Sequence, residues 1–235
     1  MALGLITGAS RGLGFALSKE LAERGWEVII DARDPDALEA AKTRMTGGSR
    51  VVAIPGDVSD PAHRGKLTAA VQEMGGLELL VNNASTLGTT PLPALPGYPL
   101  EDLEQVLRIN VLAPLALMQA LLPSLAARHG TVVNITSDAA VEAYEGWGGY
   151  GSSKAALDQI TAVLAAEQPA LHVYAFDPGD MRTQMHQDAF PGEDISDRPL
   201  PEEVVPSLLR LINERPKSGR FRAGDLPALA ESGTS

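Results

Sequence analysis

Six short apolar runs, spaced by helical sequence, constrain this chain more than any other feature. Residues 2–7, 28–32, 51–55, 77–82, 131–136 and 172–176 are rich in Val, Ile and Leu and show little polar alternation. Such runs read as strands buried on both faces of a parallel sheet. Between them, residues 14–24, 36–45, 62–74, 101–128 and 151–167 read as helices. In the first of these, Leu13, Leu17 and Leu21 recur four apart on one helix face. Residues 202–214 predict a further helix, and 220–223 a last short strand. Strand and helix alternating this regularly imply right-handed crossovers. The expected fold is therefore α/β: a doubly wound parallel sheet, Rossmann-like, in three α/β/α layers.

The 235 residues suit one sizeable domain, expected over 1–225. Residues 226–235 read as a flexible tail. Residues 88–99 hold four prolines and predict a surface loop. Residues 179–201 lack a period and predict a lid over whatever the sheet binds. Thirty acidic residues against 19 basic ones leave a net charge of −11. That balance opposes nucleic-acid binding, which needs a basic face for phosphates. It equally opposes docking on anionic membrane lipid. The absence of cysteine excludes disulfides, thiolate metal sites and cysteine nucleophiles. No His/Asp/Glu cluster has metal-ligand spacing, so no metal is expected. The opening residues run straight into strand sequence and no membrane-spanning run is expected, so the expected location is cytoplasmic.

The first run ends in Thr7-Gly8-Ala9-Ser10-Arg11-Gly12-Leu13-Gly14, and a helix follows. Glycines there permit a tight turn and let a pyrophosphate approach the backbone. The helix start offers free N–H groups and a positive dipole end. A plain strand-to-helix turn has the same composition, and the spacing Gly-x-x-x-Gly-x-Gly departs from the usual dinucleotide pattern.

Further motifs lie downstream. Gly56-Asp57-Val58 follows the third strand and Asn82-Asn83-Ala84 ends the fourth. Asn134-Ile135-Thr136-Ser137 ends the fifth, followed by Tyr150-Gly151-Ser152-Ser153-Lys154. Pro178-Gly179, with Met181 and Thr183, follows the sixth. In this order the motifs resemble the classical short-chain dehydrogenase/reductase family over nearly the whole chain.

Tyr150 and Lys154, four apart, share one helix face. A free phenol ionises near pH 10, and a nearby ammonium is expected to favour its phenolate. Alone, the pair reads as ordinary exposed polar surface. The resemblance implies that Tyr150 is the acid/base, that Ser137 steadies charge on a substrate carbonyl, and that Lys154 holds a nicotinamide ribose. It also implies that Asn110 supports a water relay to the lysine; alone, Asn110 reads as a polar residue packed mid-helix. Gly8, Ser10, Arg11, Gly12, Leu13, Gly14, Asp57, Val58, Asn83, Ala84, Tyr150, Lys154, Pro178, Gly179, Met181 and Thr183 are the cofactor residues it implies. Ser85 departs from the pattern, standing where a glycine is usual.

The family's NAD-selecting acid falls at position 32, which is Ala32 here, and Arg33 follows. Together with Arg11 this predicts NADP. Asp31 keeps NAD open, because it can bind ribose if the strand end bends. The predicted activity is hydride transfer between nicotinamide and a carbonyl or secondary alcohol. A dinucleotide-sensing regulator without turnover is the alternative, and retention of Ser137, Tyr150 and Lys154 argues against it. A nucleotide-sugar epimerase or dehydratase is expected to carry a larger C-terminal part. The substrate is expected to be a small molecule. His63 and His129, near helix ends, and His186, in the lid, read as solvated, as do Glu142 and Glu145. The apolar residues Leu115, Leu117, Leu121 and Leu122, with Ala155, Leu157, Ile160 and Val163, exceed what one sheet face absorbs. They predict a homodimer or homotetramer.

Overall fold

In the computed structural model, which describes residues 1–46 and 48–226, seven parallel strands form one sheet in the order β3-β2-β1-β4-β5-β6-β7. They are β1 (Leu3–Ile6), β2 (Glu27–Ala32), β3 (Val51–Pro55), β4 (Leu79–Asn82), β5 (Thr131–Ile135), β6 (His172–Asp177) and β7 (Gly219–Arg222). Register is continuous across the centre, with Leu5 opposite Ile29 on one side and Leu80 on the other.

Successive strand residues explain the unbroken apolar runs. Ile6, Ile30, Val81, Val133 and Phe176 pack on helices α1 (Gly12–Glu23), α2 (Pro35–Thr43) and α8 (Pro201–Glu214). Leu5, Ile29, Leu80, Val132 and Val173 pack on α3 (Pro61–Glu73), α5 (Ala113–Ala127) and α6 (Gly148–Glu167). Both pleat faces are thus interior, and each fully buried leucine or isoleucine contributes about 1.5–3 kcal/mol. The expected doubly wound three-layer architecture is the one found.

Local chemistry sets the helix starts. Asp34 and Asp60 cap α2 and α3 through their carboxylates, each followed by proline at the first helical position. Helix α1 starts at Arg11 with no side-chain cap and no acid in its first turn. Its amides open instead beyond the carboxyl end of the sheet, beside the crevice between β1 and β4 where strand order reverses.

Four expectations change. The helix predicted over 101–128 is α4 (Leu100–Leu107), a π-helical turn at Arg108–Leu112 and α5. Pro114 lacks the N–H that would bond the carbonyl of Asn110, and the wider turn that contains Asn110 ends two residues before the proline. The run Leu100–Ala127 also proves long and apolar enough to cross a membrane, with a mean hydropathy of 1.6 over its most apolar stretch. Half of that stretch is buried inside the fold, as in a core helix. Leu117, Leu121 and Leu157 lie in the sheet core, so the apolar surplus on these helices is smaller than expected; Leu112 and Val163 remain exposed. Finally, the segment expected to be a lid carries a short helix, α7 (Gln184–Ala189), capped by the Thr183 hydroxyl. Six residues are too few to show a period. The expected tail lies, beyond Leu226, outside the described residues.

Candidate active site

The strands β1, β4, β5 and β6 all end at one edge, and the loops leaving them line a cleft of about 990 Å³. Gly8, Ser10, Arg11, Gly12, Leu13, Asp57, Val58, Asn83 and Ala84 line one part of it. Ser137, Tyr150, Lys154, Pro178, Gly179, Met181 and Thr183 line the rest. Arg33 and Arg44 also line the cleft and, like Arg11, are exposed.

The glycine loop is built for close approach. Gly8 and Gly12 have φ of +65° and +61°, which disfavours any side chain there. A Cβ on Gly8 would sit 2.8 Å from the Ala84 backbone. Asn83 donates to the carbonyls of Thr7 and Gly8, at 2.9 and 3.0 Å, so its side chain braces the loop. The Thr7 hydroxyl accepts from the amides of Asn83 and Ala84, both at 3.0 Å. Val58 packs with Ile109 and Ala113 under the adjoining wall.

At the other end, α6 carries Tyr150 and Lys154 to Ser137 at the tip of β5. Ser137 and Ser85 are the polar side chains that act to lower the pKa of the Tyr150 hydroxyl. Ser137 Oγ donates to Asp138 Oδ1 at 2.9 Å, and Tyr144 donates to the same carboxylate at 3.0 Å. Lys154 Nζ donates to the Ile135 carbonyl at 2.8 Å and lies 5.4 Å from the centre of the Tyr150 ring. Asn110, buried in the π-helical turn, donates to the Thr86 carbonyl and Ser153, and accepts from Ser85 and the Thr86 amide. Leu87, Trp147, Met185, Ala189 and Phe190 form an apolar wall opposite.

A short chain dehydrogenase family model matches residues 3–194. The chain belongs to this family. It is 38% identical over 178 residues to the rhamnolipids biosynthesis 3-oxoacyl-(acyl-carrier-protein) reductase of Pseudomonas aeruginosa, covering 73% of this chain and 68% of that protein. It is 34% identical over 200 residues to the sepiapterin reductase of Mus musculus, covering 79% and 77%. A short chain dehydrogenase from Shigella flexneri, solved in complex with NADP, superposes with a TM-score of 0.89 at 28% identity, covering 95% and 97%.

Within this short-chain dehydrogenase fold, several residues differ from expectation. Asp31 is completely buried; its carboxylate accepts from the Gly8 amide at 2.8 Å and lies 3.0 Å from His63 Nε2. Burial pushes its pKa up, while His63 pulls it down. Both oxygens are engaged beneath the glycine loop, so Asp31 anchors the loop. His63 is correspondingly buried, not solvated. His186 is also mostly buried, its ring tilted against Phe190 at 4.9 Å between centroids, with Nδ1 3.7 Å from Asp180. The expected lowering of the Tyr150 pKa is not found: burial pushes it well above 10, against the opposing hydrogen bond from Ser137, and Asp177 and Asp138 raise it further. Burial pushes Lys154 down to about 8, against the pull of Asp158.

Motif reading missed Ser85, Asp138, Asp177 and Arg44. Ser85 stood in the sequence as a departure, directly after Asn83 and Ala84. Arg44 carries no local signal: it ends α2 in sequence, yet its guanidinium lies 4.2 Å over the Phe15 ring at the mouth of the cleft.

The site fits a nicotinamide dinucleotide. The uncapped amides of α1 and the positive-φ glycines form a cradle for a pyrophosphate. A Cβ built on Gly12 would project toward the Thr183 methyl, 3.8 Å away, into the same cleft.

Proposed function

We propose that this short-chain dehydrogenase is an NADP(H)-dependent reductase/dehydrogenase of a carbonyl and secondary-alcohol pair. The observation that carries the reading is the meeting of Ser137, Tyr150 and Lys154 in the cleft that the glycine loop also lines. Two relatives are named as reductases, and a structural neighbour was solved with NADP, which supports it.

Gly8, Gly12 and the start of α1 would hold the pyrophosphate, and Asp57 and Val58 the adenine. Arg11, Arg33 and Arg44 would meet a phosphate on the adenosine ribose, with guanidinium forks suited to bidentate contact. Asp31, buried and engaged by Gly8 and His63, is not free to oppose that phosphate or to favour NAD. Lys154 would bind the other ribose. The nicotinamide, when bound, supplies or takes up the hydride.

Tyr150 donates its proton to the carbonyl oxygen in reduction and takes it back from the alcohol in oxidation. Ser137 turns its hydroxyl from Asp138 to the same oxygen and stabilises the charge that gathers there. Lys154, once turned from the Ile135 carbonyl toward the ribose, brings a positive charge that makes Tyr150 easier to ionise. Asn110 holds Ser85, which touches Tyr150, and so keeps the acid/base in line.

The test is a panel of ketones, aldehydes and secondary alcohols followed at the nicotinamide absorbance, with affinity titrations of NADPH and NADH at one ionic strength. Turnover of at least one pair, with NADPH bound about tenfold or more tighter, is the expected result. Equal or tighter NADH binding contradicts the cofactor assignment, and no turnover across the panel contradicts the activity.

A further inference from the structure

Resting on that reading, we infer that Arg220, on the edge strand β7, is a positioning residue for the catalytic face and the counter-charge of the buried Asp177 that stands near Tyr150. One guanidinium holds three segments. Nη2 donates to the Ser137 carbonyl at 2.9 Å and to Asp177 Oδ2 at 3.0 Å, while Nε donates to Asp158 Oδ2 at 3.0 Å.

Each partner belongs to a different part of the machinery. Ser137 is the residue beside the substrate carbonyl. Asp158 follows Lys154 by one helical turn and Tyr150 by two, so it shares their face of α6. Asp177 ends β6, and its other oxygen accepts from the Gly179 amide at 3.0 Å where the lid begins. Arg220 therefore fixes the catalytic strand end, the catalytic helix and the root of the lid relative to one another.

The charges around the phenol make the fork more than a brace. Around it are Lys154 from α6, Ser137 and Asp138 from the end of β5, Ser85 from the end of β4 and Asp177 from β6. Arg220 and Arg222 of β7 pair with Asp177, and Arg220 also with Asp158 of α6. Asp177 is almost fully buried, and Asp158 Oδ1 is buried without a hydrogen-bond partner. Asp177 acts against ionisation of Tyr150. Arg222 lies farther from Asp177, at 3.6 Å, and is more than half exposed, so Arg220 is the principal neutralising group. A lysine cannot reproduce the fork, because an ammonium has no planar pair of donor edges.

The experiment compares Arg220→Met, Arg220→Lys, Asp177→Asn and the double variant Arg220→Met/Asp177→Asn in the dinucleotide-loaded enzyme. The pH dependence of kcat for alcohol oxidation is the first readout. Arg220→Met should move the rising limb upward by about one pH unit, which is about a tenfold loss of turnover on that limb. Arg220→Lys should recover only part of it, and the double variant should return the limb toward wild type. The second readout is the melting temperature against pH without dinucleotide. The deficit of Arg220→Met should shrink toward pH 5, as the stranded carboxylates take up protons, and Asp177→Asn should relieve it at pH 8. A pH-independent fall in kcat with an unmoved limb, or a deficit that is constant with pH, overturns the inference. Absence of wild-type turnover overturns the proposed function instead, and the two failures are thereby distinct.

Discussion

Lys154 sits where burial and chemistry conflict. Its ammonium is pushed down to about 8 by burial, from a free value of about 10.4. Between those two pH values the unfolded chain binds more protons than the folded one, so the folded state gains stability as pH rises. Lys154→Met lacks this slope. In the dinucleotide-free protein, urea unfolding of both forms from pH 7 to 10 should show the wild type gaining on the variant by on the order of 2–3 kcal/mol. A difference that is flat with pH contradicts the burial assigned here. At this scale the sequence was informative where chemistry is local. Ser137, Tyr150 and Lys154 lie in short motifs, and the structure brings them together. Asp31 and His63 were misread because their meaning comes from a contact across 32 positions, which no local pattern carries.

Among elements, the glycine loop and α1 depend on a pair that lies beneath them. Gly8 is held by Asp31, and Asp31 by His63, on α3. His63→Leu leaves a buried carboxylate uncompensated, which costs about 3–5 kcal/mol. It should also loosen the Gly8 amide and weaken dinucleotide binding. Asp31→Asn combined with His63→Leu should recover part of the stability, since no charge is then stranded. Urea unfolding and a dinucleotide titration check both effects; a single variant within about 1 kcal/mol of wild type, with unchanged affinity, contradicts this role. Strand and helix positions were readable to within a few residues because buried parallel strands and capped helices leave strong signals. The π-helical turn was not, because it depends on Pro114 together with the bonds of Asn110 to Thr86 and Ser153. The six-residue α7 was too short to read.

Taken whole, the molecule places every element of its cleft at the carboxyl edge of one sheet, around the point where strand order reverses. That arrangement was legible from the alternation of apolar runs and helices. The charge environment was not, because burial and the carboxylates Asp138, Asp158 and Asp177 converge on the catalytic face only after folding. It is this environment that pushes the Tyr150 pKa well above its ordinary value in the dinucleotide-free chain, as its proposed role of proton donor requires. The most direct test is Tyr150→Phe, which keeps the ring and its edge-on contact with Trp147 at 5.7 Å between centroids but removes the hydroxyl. Steady-state turnover of an accepted substrate should fall by about 10²–10⁴-fold while NADPH affinity stays within a few-fold, because the glycine loop and Lys154 remain. Turnover within a few-fold of wild type would contradict the assignment of Tyr150 as the acid/base.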